Sequence, residues 1–83
     1  MSPARPALAP SSLAGLPVGA RLRVTEVAAN FLGELSREGL LPGAVVEVAS
    51  RTPLGGPVIV AVGRARLALS APVAAAVHGE LVP

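Results

Sequence analysis

An all-β fold, a small barrel or sandwich of short strands, is what this sequence predicts, and three observations carry the prediction. Apolar and polar residues alternate in Arg21-Leu22-Arg23-Val24-Thr25 and again over residues 64–69, at the period of two that a sheet with one buried face requires. Glycine and proline, nine of each in 83 residues, divide the chain into pieces too short for long helices. The clearest helical stripe, Phe31, Leu32 and Leu35, meets Gly39 within a few residues, and glycine is the usual stop signal.

Residues 1–11 are rich in Pro, Ala and Ser and lack periodicity, so they read as a disordered tail ahead of one domain over 12–83. Leu13 and Leu16 supply apolar anchors, and Pro17-Val18-Gly19 turns the chain into the first strand. There Leu22 and Val24 face the core while Arg21, Arg23 and Thr25 face water. The alternation slips at Glu26-Val27, as at a bulge or a strand end. Asn30 is placed to cap a helix over 31–38. Gly39 then takes the left-handed position after the helix, with Leu40 folding back onto it. Leu41-Pro42-Gly43 fits a type II turn, proline fixing φ at the second residue and glycine taking positive φ at the third.

In the second strand, Val45 to Arg51, the polar residues Glu47 and Arg51 share a face, which directs Val46 and Val48 inward. Residues 53–57, bounded by prolines, form a rigid loop; residues 58–62 form an uncharged strand; Gly63 marks a tight turn. Over 64–69, Arg64 and Arg66 point outward and Leu67 and Leu69 inward. Ser70 is placed to cap a short helical turn through Val77, with Pro72 near its start, where a missing N–H does no harm. His78 and Gly79 end that turn, and Glu80-Leu81-Val82 closes the domain. The result is five strands, one short helix between the first two, and a helical turn before the last. Leu22, Val24, Leu35, Leu40, Val46, Val48, Val60, Leu67 and Leu69 are the expected core.

Composition limits what such a domain can do. A chain this small buries roughly 60–65% of its unfolded surface, so it depends on apolar residues, and 52% of the sequence is hydrophobic. Phe31 is the single aromatic and there is no cysteine, so the core is aliphatic and no disulfide supports it. A reducing cytoplasm suits such a chain. Every basic residue is arginine, the net charge is +2, and like charges form no run, which argues against a basic arm for nucleic acid. Platforms for single-stranded nucleic acid and grooves for PxxP peptides both need aromatics that are missing here. No apolar stretch reaches the roughly 18–20 residues of a membrane span, and no apolar segment follows Arg5 as in a signal peptide.

No catalytic cluster is visible. His78 is the sole histidine and reads as a residue at a helix C-terminus. The acidic residues are Glu26, Glu34, Glu38, Glu47 and Glu80. Glu34 and Glu38 share a helix face beside Arg37, as a solvated surface does. Gly55-Gly56 lies between strands, where a turn explains it, and no phosphate-binding motif is present. Arg21, Arg23, Arg51, Arg64 and Arg66 point outward from three strands and form either a solvated face or a patch for an acidic partner. The expected activity is non-enzymatic, without cofactor.

The ordered set Glu38-Gly39-Leu40-Leu41-Pro42-Gly43, Val45-Val46-Glu47-Val48, Pro53-Leu54-Gly55 with Pro57, Gly63, and Leu67-Ala68-Leu69 resembles the FeoA family. The resemblance covers residues 12–82. It implies a five-stranded SH3-like barrel and a cytoplasmic accessory or regulatory role in ferrous iron transport and iron homeostasis, with transition-metal binding known at the level of the family. The implied partner is the cytoplasmic GTP-binding part of a FeoB-type transporter. The alternatives are a regulatory SH3-like domain of the iron-dependent repressor type and a general SH3-like adaptor. Two positions depart from the family pattern: Ser70 replaces a usual basic residue, and residues 71–77 carry no charge. Two contact surfaces follow. One is the arginine face, Arg21, Arg23, Arg64 and Arg66. The other is apolar, Leu41 and Leu54 at loop tips with Val73 and Val77 on the alanine-rich helix. A mean hydropathy of +0.65 favours the apolar one and weak self-association.

One histidine, no cysteine and dispersed glutamates do not close a transition-metal shell. Anaerobic calorimetry with ferrous iron is expected to show no stoichiometric site of submicromolar affinity; such a site would overturn this inference.

Overall fold

A computed structural model describes residues 11–83; apart from Ser11, the tail expected over 1–11 lies outside the described residues. The alternating segments form strands β2 (Arg21–Val27), β3 (Val45–Arg51), β4 (Val58–Val62) and β5 (Ala65–Leu69), with β6 (Val77–Val82) last. A two-residue strand β1 (Ser11–Ser12) pairs with Gly79 and His78, adding a sixth strand to the five expected. Two residues carry no alternation by which β1 could have been read. All pairings are antiparallel, in the order β1-β6-β2-β3-β4-β5. Helix α1 (Ala29–Arg37) joins β2 to β3, and the short α2 (Ala71–Ala75) joins β5 to β6. The α2 helix rests on a 3-10 turn (Leu13–Gly15) and on β5 and β6, so it spans between the two ends of the sheet.

The core is wholly aliphatic, and no polar side chain is buried among the described residues. Eight of the nine expected core residues are buried; Leu67 is half-buried and packs against the rest. Leu13, Leu16, Val27, Val58, Val62, Ala74 and Val77 complete the core.

The end of α1 forms as the glycine predicts. Gly39 has φ 92°; its N–H donates to the Ser36 carbonyl, and the Leu40 N–H donates to the Leu35 carbonyl, both at 3.0 Å. This is a Schellman cap, and it drives Leu40 into the core beside Leu35. The type II turn follows: Gly43 has φ 98°, and Ala44 N–H donates to Leu41 O at 3.0 Å. Val24 then holds the turn from both sides, donating to Ala44 and accepting from Gly43 at 2.8 Å each.

The helix starts differ from expectation. Asn30 lies inside α1; the N-cap is Ala28, which has no side-chain cap. Its N–H donates to the Ala76 carbonyl at 3.1 Å, directly after the Val27–Val77 strand pair, so strand pairing rather than an asparagine side chain sets the entry. Ser70 does precede α2, but its hydroxyl makes no cap bond. That helix ends at Ala75, and His78 and Gly79 lie within β6 instead of terminating the turn. Gly79 serves a strand role here: a Cβ would sit 2.0 Å from the Arg23 carbonyl oxygen, so only glycine permits this approach of β6 to β2.

Register shifts mark two bulges, between Val24 and Glu26 and between Val48 and Ser50. An extra residue moves everything after it to the other face. The first bulge turns Val27 inward, as the slip in alternation foreshadows. The second overturns the expected orientation of Arg51. Past it, Arg51 stands opposite Val58, and Val58 in turn opposite Leu69, both core residues. The guanidinium of Arg51 reaches over the core end to the 3-10 turn. One nitrogen, Nη1, donates to Leu16 O at 2.7 Å and Leu13 O at 3.4 Å; Nη2 donates to Ala14 O at 2.8 Å.

Bonds from a charged donor are each worth about 1.5–3 kcal/mol, and exposed carbonyls recover part of that from water. Arg51→Met, which retains the apolar stem, is therefore expected to lower unfolding free energy by about 1–3 kcal/mol in urea melts. Arg51→Lys should restore little, since a single ammonium does not reproduce the planar fork.

Candidate protein-contact surfaces

The arginines do not form one continuous surface. Arg21 faces Glu47 across the β2–β3 pair, and its Nη1 donates to the main-chain oxygen of Pro83 at 3.1 Å. Arg23 faces Glu80 across the β2–β6 pair and forms an exposed ion pair with it at 3.5 Å, a class worth about 0–1 kcal/mol. Arg51 is the clamp already described. Following the register from Arg21 through Glu47 and Ala61 to Arg66 crosses three strand spacings, roughly 14 Å at the usual 4.8 Å each, with a carboxylate between the charges. Arg64 and Arg66 are exposed and make no hydrogen bond or ion pair among the described residues.

The apolar candidates separate more sharply. Val77 is fully buried against Val27 in β6 and does not reach a partner; its placement on an exposed helix is corrected by the early start of β6. Val73 is half-buried, Leu41 is partly exposed at its turn, and Leu54 is completely exposed.

Leu54 also has the only positive φ among described non-glycine residues, with φ 64° and ψ 32°. The loop fixes this conformation at both flanks. Pro53 begins a 3-10 turn (Pro53–Gly55), Thr52 N–H donates to Pro57 O at 3.1 Å, and Gly56 packs so tightly on Thr52 that a Cβ would lie 2.7 Å from its methyl. A left-handed leucine costs roughly 1–2 kcal/mol, and a bare leucine gains nothing from burial. Exposure alone is ordinary; exposure combined with a left-handed backbone sets Leu54 apart from the other exposed apolar residues described. No sequence signal shows this strain, because Pro-Leu-Gly is compatible with several turns.

A cleft runs between α1 and β5. One part, about 280 Å³, is lined by Glu34, Leu35, Glu38 and the β5 residues from Arg66 to Leu69. A second, about 220 Å³, shares Glu34, Leu35, Ala68 and Leu69 and extends to Phe31, Ser70 and Val73. Sequence reasoning missed this cleft, since it arises from how far α1 stands from the sheet edge.

The structure offers little for covalent or metal chemistry. Among the described residues no three His, Cys, Asp or Glu side chains come together. His78 lies in β6 with Glu26 opposite on one side and Ser12 on the other, and is half-buried. No helix among the described residues is long and apolar enough to cross a membrane.

The family model of the FeoA domain matches residues 11–81. No curated protein matches. Solved structures do. An iron uptake regulatory protein (FeoA) is 29% identical with a TM-score of 0.79, the match covering 90% of this chain and 100% of that one. A zinc-complexed FeoA from Stenotrophomonas maltophilia, described as a unique procaryotic SH3 domain protein, is also 29% identical, with a TM-score of 0.65 and coverage of 81% and 86%. The SH3-like reading of the fold stands. A manganese-dependent transcriptional repressor aligns over 96% of this chain but 44% of its own, with 22% identity and a TM-score of 0.79; that likeness concerns the fold alone.

The strain at Leu54 is measurable on the isolated domain. Leu54→Asn, a residue that tolerates left-handed backbone, is expected to stabilise by up to about 1 kcal/mol, or about 4–8 °C in Tm. A fall in Tm would show that the leucine is not strained.

Proposed function

As the chain belongs to the FeoA family, we propose that it is a non-enzymatic accessory protein of ferrous iron uptake that acts in the cytoplasm by touching the GTP-binding part of a FeoB-type transporter. The family match supplies the iron-transport setting. The observation that carries a contact mechanism is Leu54, strained and wholly exposed at the tip of a rigid loop. A preformed tip loses little conformational freedom on docking, and its burial in a partner pocket returns about 1.5–3 kcal/mol. The domain's own groups favour this over catalysis, since its carboxylates are exposed and dispersed.

The arginine surface is the weaker candidate. Arg21 and Arg23 already have partners within the domain, which leaves Arg64 and Arg66 of that face without a partner among the described residues. Contact through these would weaken with salt, whereas apolar contact through Leu54 tolerates it.

Titration of this protein against the soluble GTP-binding domain of the transporter tests both levels. Wild type is expected to bind, Leu54→Asn to bind roughly ten- to a hundredfold more weakly, about the worth of one buried side chain, and an Arg64→Glu/Arg66→Glu variant to bind nearly as well as wild type. Normal binding by Leu54→Asn with loss in the arginine variant overturns the choice of surface. No binding by wild type overturns the partner.

A further inference from the structure

We propose that the cleft between α1 and β5 binds an extended, basic segment of a partner protein, which pairs with β5 as an added strand. This site is separate from the Leu54 loop and does not depend on the identity of the transporter.

The first observation is the free edge. Among the described residues β5 ends the sheet, paired only with β4. The two-residue turn Gly63-Arg64 connects Val62 to Ala65, and such turns make the flanking pair exchange both hydrogen bonds. Ala65, Leu67 and Leu69 therefore bond to β4, while Arg66 and Ala68 direct their N–H and C=O groups away from it. No described backbone bond occupies those groups. Edges are commonly blunted by proline, a bulge or a charged side chain; β5 has no proline and no bulge, its one charge is Arg66, and its register is regular throughout. Ala68 contributes only a methyl beside the open backbone.

The second observation is the cleft beside that edge. Leu35 and Leu69, with the half-buried Phe31, Leu67 and Val73, give it an apolar floor. A strand lying along β5 turns alternate side chains onto such a floor. The third is charge. Glu34 and Glu38 stand one turn apart on the α1 wall, opposite a single cation, Arg66, on the β5 side; all three are exposed with no ion pair among the described residues, so the lining is net acidic. It calls for lysine or arginine on the incoming segment.

The same charges argue against a second copy as occupant. Two β5 edges paired antiparallel would place both α1 helices on one face of the joined sheet, acidic wall toward acidic wall. A basic segment meets two carboxylates against the one guanidinium of Arg66.

The test is amide NMR on the ¹⁵N-labelled protein titrated with the hexapeptide Val-Lys-Val-Arg-Val-Lys, which can present either row of side chains to the cleft. Its counterpart with glutamate at every basic position is the control. The basic peptide is expected to shift the Arg66 and Ala68 amides and to slow their hydrogen exchange. Glu34→Gln/Glu38→Gln should weaken binding roughly fivefold, as for two surface charge pairs. Ala68→Pro, which removes an edge N–H that β4 does not use, should abolish the response while core amides stay in place; should that variant not fold, the glutamine pair decides. Shifts confined to other strands, absence of any shift at millimolar peptide, or equal binding of the acidic control would overturn the proposal. So would Arg66 and Ala68 amides already protected in a concentration-dependent way, which would assign the edge to a second copy.

Discussion

The curl of the sheet depends on a missing side chain at Gly79. There β6 runs between β1 and β2, and the Arg23 carbonyl approaches so closely that any Cβ would meet it at 2.0 Å. The β2 bulge lies immediately beside this contact, and bulges sharpen the local twist. Together they bring Val27 against Val77, and the Ala28 amide onto the Ala76 carbonyl, which sets where α1 begins. Alanine at 79 would push apart two backbones, neither of which can move like a side chain. The aliphatic core can form because this corner lets the strands wrap around it.

The second bulge does for charge what the first does for packing. Without the extra residue at Ala49, Arg51 would point to solvent with Glu47. With it, the guanidinium collects three carbonyls of the Leu13–Gly15 turn and its cap residue Leu16, peptide groups that no strand pairing satisfies. One cation thereby ties the start of the domain to the end of β3. What reads in the sequence as a solvated surface arginine is a structural clamp, its guanidinium already engaged by its own chain.

Legibility followed the range of the forces involved. Gly39, Leu40 and the Leu41-Pro42-Gly43 turn were readable because their conformations are set within six residues by φ preferences and local hydrogen bonds. The inward valines of β2 and β3 were readable because alternation is local too. The bulge at Ala49 was not, since Ala49-Ser50 interrupts the alternation no more than a strand end would. Asn30 looked like a cap only until the pairing of Val27 with Val77 fixed an earlier start. Gly79 carried the right residue type for a stop and for a close strand approach, and only the neighbouring strand decides between them. The candidate surfaces divide the same way: Leu54 was legible as a loop tip, its left-handed backbone was not, and the α1–β5 cleft depends wholly on tertiary spacing.

A domain of this size has about 4–12 kcal/mol of stability in total, so roughly 1–2 kcal/mol held at Leu54 is a substantial share. The open edge of β5, with Arg66 as its one charge, adds an aggregation hazard. Neither feature helps the fold: removing the leucine side chain would relax the loop, and a proline would blunt the edge. The core residues show no comparable compromise, being aliphatic and fully packed, without a buried polar group among the described residues. Backbone strain at the Leu54 tip and the unpaired β5 edge are the physical reasons to look for partners there, and not on the strand face where Arg21 and Arg23 are already engaged by their own chain.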